Sequence, residues 1–138
     1  MTYANEAQRL ATAVARLNRR LRRERRSELS PNQTAVLGTL GRRGPLTHGA
    51  LAEAERVRPP TMTRIVNGLA ELGYVNRSAD PADGRQVIVS ISDDGESWLA
   101  AERKRRDMWL AKRLQELEPA DRAVLRDAVT VLERLSTT

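Results

Sequence analysis

Arg64 and Asn67 lie three residues apart and carry side chains that can read the edges of DNA bases. An arginine guanidinium can donate two hydrogen bonds to O6 and N7 of guanine, and an asparagine amide can pair with N6 and N7 of adenine. Thr61 and Thr63 beside them are small enough to let the backbone approach a groove closely. The spacing therefore indicates direct readout of double-stranded DNA, provided that these residues lie on an exposed helix.

The segment around these residues has the pattern of such a helix. It opens at Arg58-Pro59-Pro60, where the double proline suits a turn and the first helical position, and Gly73 closes it. On a helical wheel one side is apolar and holds Met62, Ile65, Val66, Leu69 and Leu72. The opposite side holds Pro60, Thr63, Arg64, Asn67 and Glu71. We predict a recognition helix; the alternative is an ordinary core helix with a solvated polar face.

A second charged group lies near a predicted hairpin tip. The stretch from Ser78 to Gly84 is rich in turn residues, and Gln86 to Ser92 alternates between two faces, which is typical of a hairpin. Asp83 and Arg85 lie two residues apart near the tip, and Arg77 lies on the incoming strand. An arginine on a rigid wing fits a minor groove, and a neighbouring carboxylate can hold its guanidinium in a bidentate pair. The alternative is a surface ion pair of little energetic worth.

Three helices precede the recognition segment. Residues 4–27 form the first, because apolar residues recur at spacings of three and four without an internal glycine or proline. Ser30 caps the second, and Gln33 completes a capping box. Thr47 caps a shorter third helix. The third and fourth helices are joined by a short turn and followed by the hairpin, which is the order of a helix-turn-helix with a β-wing.

Two long helices follow the hairpin. Ser92 caps a fifth helix that runs to about Leu117, and Pro119 starts a sixth. Apolar stripes at residues 7–21 and 124–135 exceed what one small winged domain can cover. We predict a mainly α fold with a small β-hairpin wing, a winged helix-turn-helix with long N- and C-terminal dimerisation helices. The predicted parts of this continuous domain 1–138 are an N-terminal dimerisation helix at 1–28, a winged DNA-binding region at 29–92 and C-terminal dimerisation helices at 93–138.

The composition agrees with a polyanionic partner and excludes several kinds of site. The 138 residues carry a net charge of +6, with 22 arginines and two lysines. The planar arginine fork suits phosphates and guanine edges, although a genome rich in G and C would also favour arginine. The chain has no cysteine and a single histidine, His48. Because it offers no nucleophile with a histidine base, no glycine-rich phosphate loop and no metal-ligand spacing, we expect no enzyme, cofactor or metal.

The basic run from Arg19 to Arg26 leaves three interpretations open. It could contact phosphates, lie on an anionic membrane surface, or be a solvated face near a helix C-terminus. The N-terminal sequence lacks the features of a signal peptide, and no apolar run is long enough to span a membrane. A cytoplasmic protein without a membrane partner is therefore the expectation.

The ordered set of motifs resembles the multiple-antibiotic-resistance regulator (MarR) family of bacterial transcription factors over about residues 29–98. The matching pieces are Leu46-Thr47, Leu51-Ala52, Thr61-Met62-Thr63-Arg64-Ile65-Val66, Leu69, Leu72-Gly73-Tyr74-Val75, Arg77, Asp83-Gly84-Arg85 and Ile91-Ser92-Asp93-Asp94-Gly95. Each piece is weak alone, and their order and spacing make the set specific. The chain departs from the family pattern at Pro59-Pro60, where a small polar pair is more common, and this affects contacts at the start of the recognition helix.

The resemblance implies a homodimer built from the first, fifth and sixth helices, with two winged regions that bind double-stranded DNA at an inverted-repeat operator. The implied DNA-binding residues are Pro60, Thr61, Thr63, Arg64, Asn67, Arg77, Asp83 and Arg85. It also implies a repressor released by a small-molecule effector, which no residue here identifies. Trp98 and Trp109 are expected to be core or dimer anchors, or to line an effector pocket.

A winged-helix module that binds proteins without DNA readout is the alternative function. Such a module need not keep Arg64, Arg77 and Arg85 on the side that faces a groove. A steep salt dependence of binding to duplex DNA separates the two functions.

Overall fold

The computed structural model describes residues 2–24 and 29–138 and has six helices and three strands in these residues. The elements in chain order are α1 (Tyr3–Arg23), α2 (Pro31–Arg43), β1 (Leu46–Thr47), α3 (His48–Ala54), α4 (Pro59–Glu71), β2 (Val75–Ala79), β3 (Val87–Ile91), α5 (Asp93–Glu116) and α6 (Pro119–Ser136). This is the predicted mainly α fold with a β-hairpin.

The chain forms two compact units. The winged unit contains α2, α3, α4, the strands and α5 as far as Arg103. The terminal-helix unit contains α1, the part of α5 that begins at Lys104, and α6. The functional boundaries proposed from the sequence, after residues 28 and 92, stay a prediction.

Capping side chains fix where three helices of the winged unit, α2, α3 and α5, begin. Ser30 Oγ accepts the backbone N–H of Gln33 at 3.1 Å, and Gln33 Oε1 accepts the backbone N–H of Ser30 at 2.9 Å. Thr47 Oγ1 accepts the backbone N–H of Ala50 at 3.1 Å. Ser92 Oγ accepts the backbone N–H of Gly95 at 3.0 Å. These contacts satisfy N–H groups that have no partner inside the helix, and they confirm the three predicted caps.

The first helix differs slightly from its prediction over residues 4–27. It begins one residue earlier, at Tyr3, because Thr2 Oγ1 accepts the backbone N–H of Asn5 at 3.3 Å. It ends at Arg23, with Glu24 as the C-cap. The end predicted at residues 25–27 lies outside the described residues.

The sheet has one strand more than the predicted hairpin. β2 and β3 pair antiparallel, with Val75 opposite Ile91 and Ala79 opposite Val87. β1 adds to the other edge of β3, with Leu46 opposite Val89, which gives the order β1-β3-β2. A strand of two residues has no periodicity of its own, so the sequence pattern could not indicate it.

The core of the winged unit lies between the helices and the inner face of β3. Its fully buried side chains are Val36, Leu37, Leu40, Leu51, Met62, Val66, Leu69 and Val89. Trp98 packs against this core, with its ring centroid 5.9 Å from that of Tyr74, in agreement with its expected role as a core anchor. Leu72 was expected on the buried side of α4, and this is wrong, because the residue follows the last helical turn and is 44% exposed.

Gly95 allows α5 to approach the end of the recognition segment closely. A Cβ at this position would lie 2.2 Å from the carbonyl oxygen of Tyr74, well inside van der Waals contact. The same carbonyl accepts the backbone N–H of Ser92 at 3.0 Å. The start of α5 is therefore locked against the residue that precedes β2.

The terminal-helix unit exposes apolar side chains. Neither α1 nor α6 has a buried residue. The exposed large apolar residues of these two helices are Tyr3, Leu10, Val14, Leu17, Val124, Leu125, Val129, Val131, Leu132 and Leu135. The Trp109 ring lies between two guanidinium groups, that of Arg20 at 5.0 Å and that of Arg113 at 5.5 Å from its centroid. Among the described residues, no helix is long and apolar enough to cross a membrane.

Candidate nucleic-acid interface

A tight turn sets the direction of α4. α3 ends at Ala54, and Arg56 adopts a left-handed backbone conformation with φ of 55°, which is uncommon for a residue with a side chain. Arg58 is the N-cap of α4 without a side-chain cap, and Pro59 takes the first helical position with its φ already suited to a helix. Turn and proline together start α4 abruptly after α3, as in a helix-turn-helix.

The polar side of α4 is open to solvent. Pro60, Thr63, Arg64 and Asn67 are exposed, and Thr61 is half-buried. The opposite side is buried in the core of the winged unit through Met62, Ile65, Val66 and Leu69. The predicted division of this helix into an apolar anchoring side and an exposed polar side is therefore present.

Thr63 is held in place from two directions. Its hydroxyl donates to the carbonyl of Pro59 at 3.0 Å, and it lies 3.3 Å from Nε2 of His48, the first residue of α3. The structure thus places His48 against the exposed side of α4. The sequence could not indicate this pair, because the two residues are 15 positions apart and belong to different helices.

One hydrogen bond joins the recognition helix to the wing. Arg77, on β2, donates from Nη1 to Oδ1 of Asn67 at 2.5 Å. Because Asn67 Oδ1 already accepts a hydrogen bond, its NH₂ group is the part of the amide left to bond a base acceptor, and a bidentate contact with adenine requires the oxygen to be shared or released. This hydrogen bond therefore couples the position of the Asn67 side chain on α4 to that of Arg77 on the wing.

An open cleft of about 490 Å³ lies between α3, α4 and the wing. Its polar lining comes from His48, Thr63, Asn67, Arg77, Arg85 and Gln86, and Val66 and Val87 contribute apolar surface. Four of the eight predicted DNA-binding residues therefore line one concave surface. Sequence reasoning missed Gln86, which carried no signal beyond its place at the start of a strand.

The wing loop is built by two aspartates that bond to backbone N–H groups. Asp80 Oδ1 accepts the N–H of Ala82 at 2.9 Å, and Asp83 Oδ1 accepts the N–H of Arg85 at 3.1 Å. The backbone N–H of Gln86 also bonds to the carbonyl of Asp83 at 3.0 Å. The expectation that the Asp83 carboxylate holds the Arg85 guanidinium is wrong, because this carboxylate bonds to the Arg85 backbone and thereby shapes the turn.

Comparisons with known proteins agree with this geometry. The sequence profile of the MarR family matches residues 29–87. A curated HTH-type transcriptional regulator of Mycobacterium tuberculosis (strain CDC 1551 / Oshkosh) is 47% identical over 124 residues, which cover 89% of this chain and 87% of that protein. The chain belongs to the MarR family. A further HTH-type transcriptional regulator, from Mycobacterium leprae, is 46% identical over 127 residues, and the matched region covers 91% of this chain and 89% of that protein.

Solved structures confirm the fold of this MarR protein. A transcriptional regulator protein from Pseudomonas aeruginosa has a TM-score of 0.89 at 33% identity and covers 100% of this chain and 99% of its own. A MarR family protein from Bacillus stearothermophilus has a TM-score of 0.81 at 24% identity, and the match covers 98% of this chain and 95% of that protein. At this identity the likeness shows the fold alone. The resemblance and the fold class from the sequence are confirmed, and the protein is a DNA-binding transcriptional regulator of the MarR family.

Proposed function

We propose that this MarR protein is a dimeric repressor that reads an inverted-repeat operator with α4 in the major groove and the wing in the minor groove. The observation that carries the proposal is the exposed polar side of α4, hydrogen-bonded to the wing through Asn67 and Arg77. A helix buried on one side and polar on the other can lie in a major groove while its apolar side holds it rigid.

In this proposal the residues of α4 divide between base readout and positioning. Arg64 is exposed and forks onto guanine, and Asn67 pairs with adenine through its NH₂ group and through an Oδ1 shared with Arg77. Pro60, Thr61 and Thr63 lie in the first turns of the helix, where small side chains let phosphates approach.

The wing supplies contacts outside the major groove. Arg85 is exposed beside a turn that the Asp83 carboxylate shapes, so its guanidinium leaves a fixed backbone position. A narrow minor groove concentrates negative potential and attracts such a side chain. Asp83 belongs to the proposed interface because it positions the backbone, and Arg77 because it links the wing to α4.

The exposed apolar sides of α1 and α6 support dimerisation. Val124 is 65% exposed and Leu135 59%, and large contiguous apolar surfaces on a folded chain mark sites of association. A closed pair with two-fold symmetry is the commonest assembly, and it presents two identical recognition helices related by the same symmetry. An operator read in this way is an inverted repeat.

Repression follows from occupation of the operator, and release by a small molecule completes the proposal. Support for the release step comes from the resemblance to the family.

Selection of bound duplexes from a random pool tests the proposal. The expected result is an enriched inverted repeat with half-sites about one helical turn apart, each containing a guanine and an adenine. A pool that stays random, together with binding whose salt dependence is shallow, would favour the protein-interaction module and overturn the proposal.

A further inference from the structure

The net positive charge of this protein lies on its terminal helices and not on its winged unit. Residues 29–103 contain eight arginines and nine carboxylates, whereas residues 2–24 and 104–138 contain fourteen basic and eight acidic residues. The net charge of +6 is therefore concentrated in the terminal-helix unit. The fixed field that attracts a polyanion at long range arises there.

Within that unit, α1 carries the densest positive charge. Between Glu6 and Glu24 there is no carboxylate, and six arginines lie in these seventeen positions: Arg9, Arg16, Arg19, Arg20, Arg22 and Arg23. At about 100° per residue, all of them except Arg22 fall within an arc of about 100°. We call these five residues the arginine stripe; it lies roughly opposite the apolar side of α1 that carries Leu10, Val14 and Leu17.

A face that only serves solubility usually mixes both signs, because a Glu and a Lys or Arg four residues apart stabilise a helix. The arginine stripe does the reverse, since it places like charges three and four residues apart, as in Arg16 with Arg19 and Arg20. Arg20 has two partners, the Glu24 carboxylate at 2.9 Å and the Trp109 ring. Among the described residues, Arg9, Arg16 and Arg23 have no carboxylate within ion-pair distance.

We propose that the arginine stripe binds the phosphate backbone of duplex DNA independently of base sequence. Arg9, Arg16 and Arg23 recur every seven residues, so they span about 21 Å along the helix at about 1.5 Å per residue. The guanidinium group can engage phosphate oxygens with two parallel hydrogen bonds. This surface is separate from the recognition helix and the wing, and it does not depend on operator readout.

The composition of α1 favours DNA over a membrane surface. A helix that lies in a bilayer interface inserts an apolar face rich in Trp, Phe or Leu. Residues 7–23 contain no Trp or Phe, and the apolar side with Leu10 and Leu17 is the surface proposed above for the dimer, so the partner chain covers it and a bilayer does not. Arg9, Arg16 and Arg23 are exposed and lie outside that side of α1, so they remain available in the proposed dimer.

The test measures binding of the full-length protein to a non-operator duplex by fluorescence anisotropy between 50 and 200 mM salt. The variant replaces Arg9, Arg16 and Arg23 by glutamine, which keeps helix propensity and removes three charges. The matched control replaces Arg122, Arg126 and Arg134 on α6 by glutamine; it removes the same charge from a helix where Asp127 and Glu133 are interspersed. Circular dichroism and sedimentation establish that each variant keeps its fold and assembly.

The expected result is a change confined to the stripe variant. The salt slope, which is the decrease of log K with log salt concentration, is about 0.9 for each phosphate contact. Three lost contacts therefore lower the slope by about 2.7, and the loss of affinity between 50 and 200 mM salt becomes about 40-fold smaller. The control keeps the wild-type slope within about one unit. Unchanged slopes in both variants, or equal decreases in both, would overturn the proposal. Cosedimentation with phosphatidylglycerol vesicles that the stripe variant alone loses, with its DNA slope unchanged, would assign the stripe to membranes and overturn it too.

Discussion

Asp83 offers the sharpest test of how the wing is built. Its carboxylate accepts the backbone N–H of Arg85 at 3.1 Å and forms no ion pair with a guanidinium among residues 2–24 and 29–138, so its expected role is to hold the turn. Asp83→Asn keeps an acceptor oxygen in the same place and tolerates the same turn, but it removes the charge. Asp83→Ala removes both the acceptor and the charge. The pair of variants therefore separates the hydrogen bond from the electrostatic effect.

The size of the effect follows from one exposed hydrogen bond. Such a bond contributes about 1 kcal/mol net, since water competes for both partners. In Asp83→Ala the free wing loop lacks this hydrogen bond, so DNA binding must order the loop at a cost of about 1 kcal/mol. The Kd of Asp83→Ala is therefore expected to rise about five-fold. Asp83→Asn is expected to bind as tightly as the wild type or more tightly, because a negative charge near the phosphates is gone.

Fluorescence anisotropy with an operator duplex at fixed salt measures both affinities. Asp80→Asn is the matched control, because Asp80 makes an equivalent contact with the N–H of Ala82 at 2.9 Å and its change removes the same charge. The operator affinity of Asp80→Asn should therefore change in the same way as that of Asp83→Asn. Asp83 does not hold the turn by its hydrogen bond if Asp83→Asn loses as much affinity as Asp83→Ala, or if Asp83→Ala binds more tightly than the wild type while folded.

Other variants test the recognition helix, the packing of α5 and the assembly. Asn67→Ala should cost about 1–3 kcal/mol on the operator and relax preference at one position of each half-site, which binding to duplexes varied at that position checks; unchanged preference contradicts the assigned role. Gly95→Ala should lower the free energy of unfolding, measured in urea, by about 2 kcal/mol or more, because the new Cβ meets a carbonyl oxygen. Gly49→Ala is the control and should be close to neutral, because a Cβ at that position meets nothing within 4 Å. Equal stabilities of the two variants would contradict the close contact at Gly95. Leu132→Arg places a charge on the exposed apolar side of α6 and should shift sedimentation from dimer to monomer; a dimer of unchanged affinity excludes this side from the interface.

Local chemistry made most of the winged unit predictable. Ser30, Thr47 and Ser92 cap helices through contacts within three residues, and such short-range signals can be identified in a single sequence. The change from a helical period to alternation placed the hairpin after Gly73, whose φ of 80° a glycine adopts without strain. Leu72 was misplaced because the helical wheel assumes that the helix continues, whereas the chain turns at that point.

The contacts within the site could not be predicted, because they join residues distant in the chain. Arg77 bonds to Asn67 ten residues away, and His48 lies beside Thr63 fifteen residues away. The contact of Asp83 was predicted wrongly although its partner is only two residues away. Two oppositely charged side chains two residues apart suggest an ion pair, but an aspartate at a turn also competes for backbone N–H groups, and that contact is the one present.

Arg64 is the residue through which the exposed polar side of α4 is proposed to read operator bases, and its replacement by alanine gives a decisive comparison. Selection from one random pool of duplexes, carried out in parallel with the wild type and with Arg64→Ala, compares the enriched sites position by position. We expect the same inverted repeat from both proteins, with preference for guanine lost at one symmetric position in each half-site of the variant. An identical consensus from both proteins, or no inverted repeat from the wild type, would contradict this expectation.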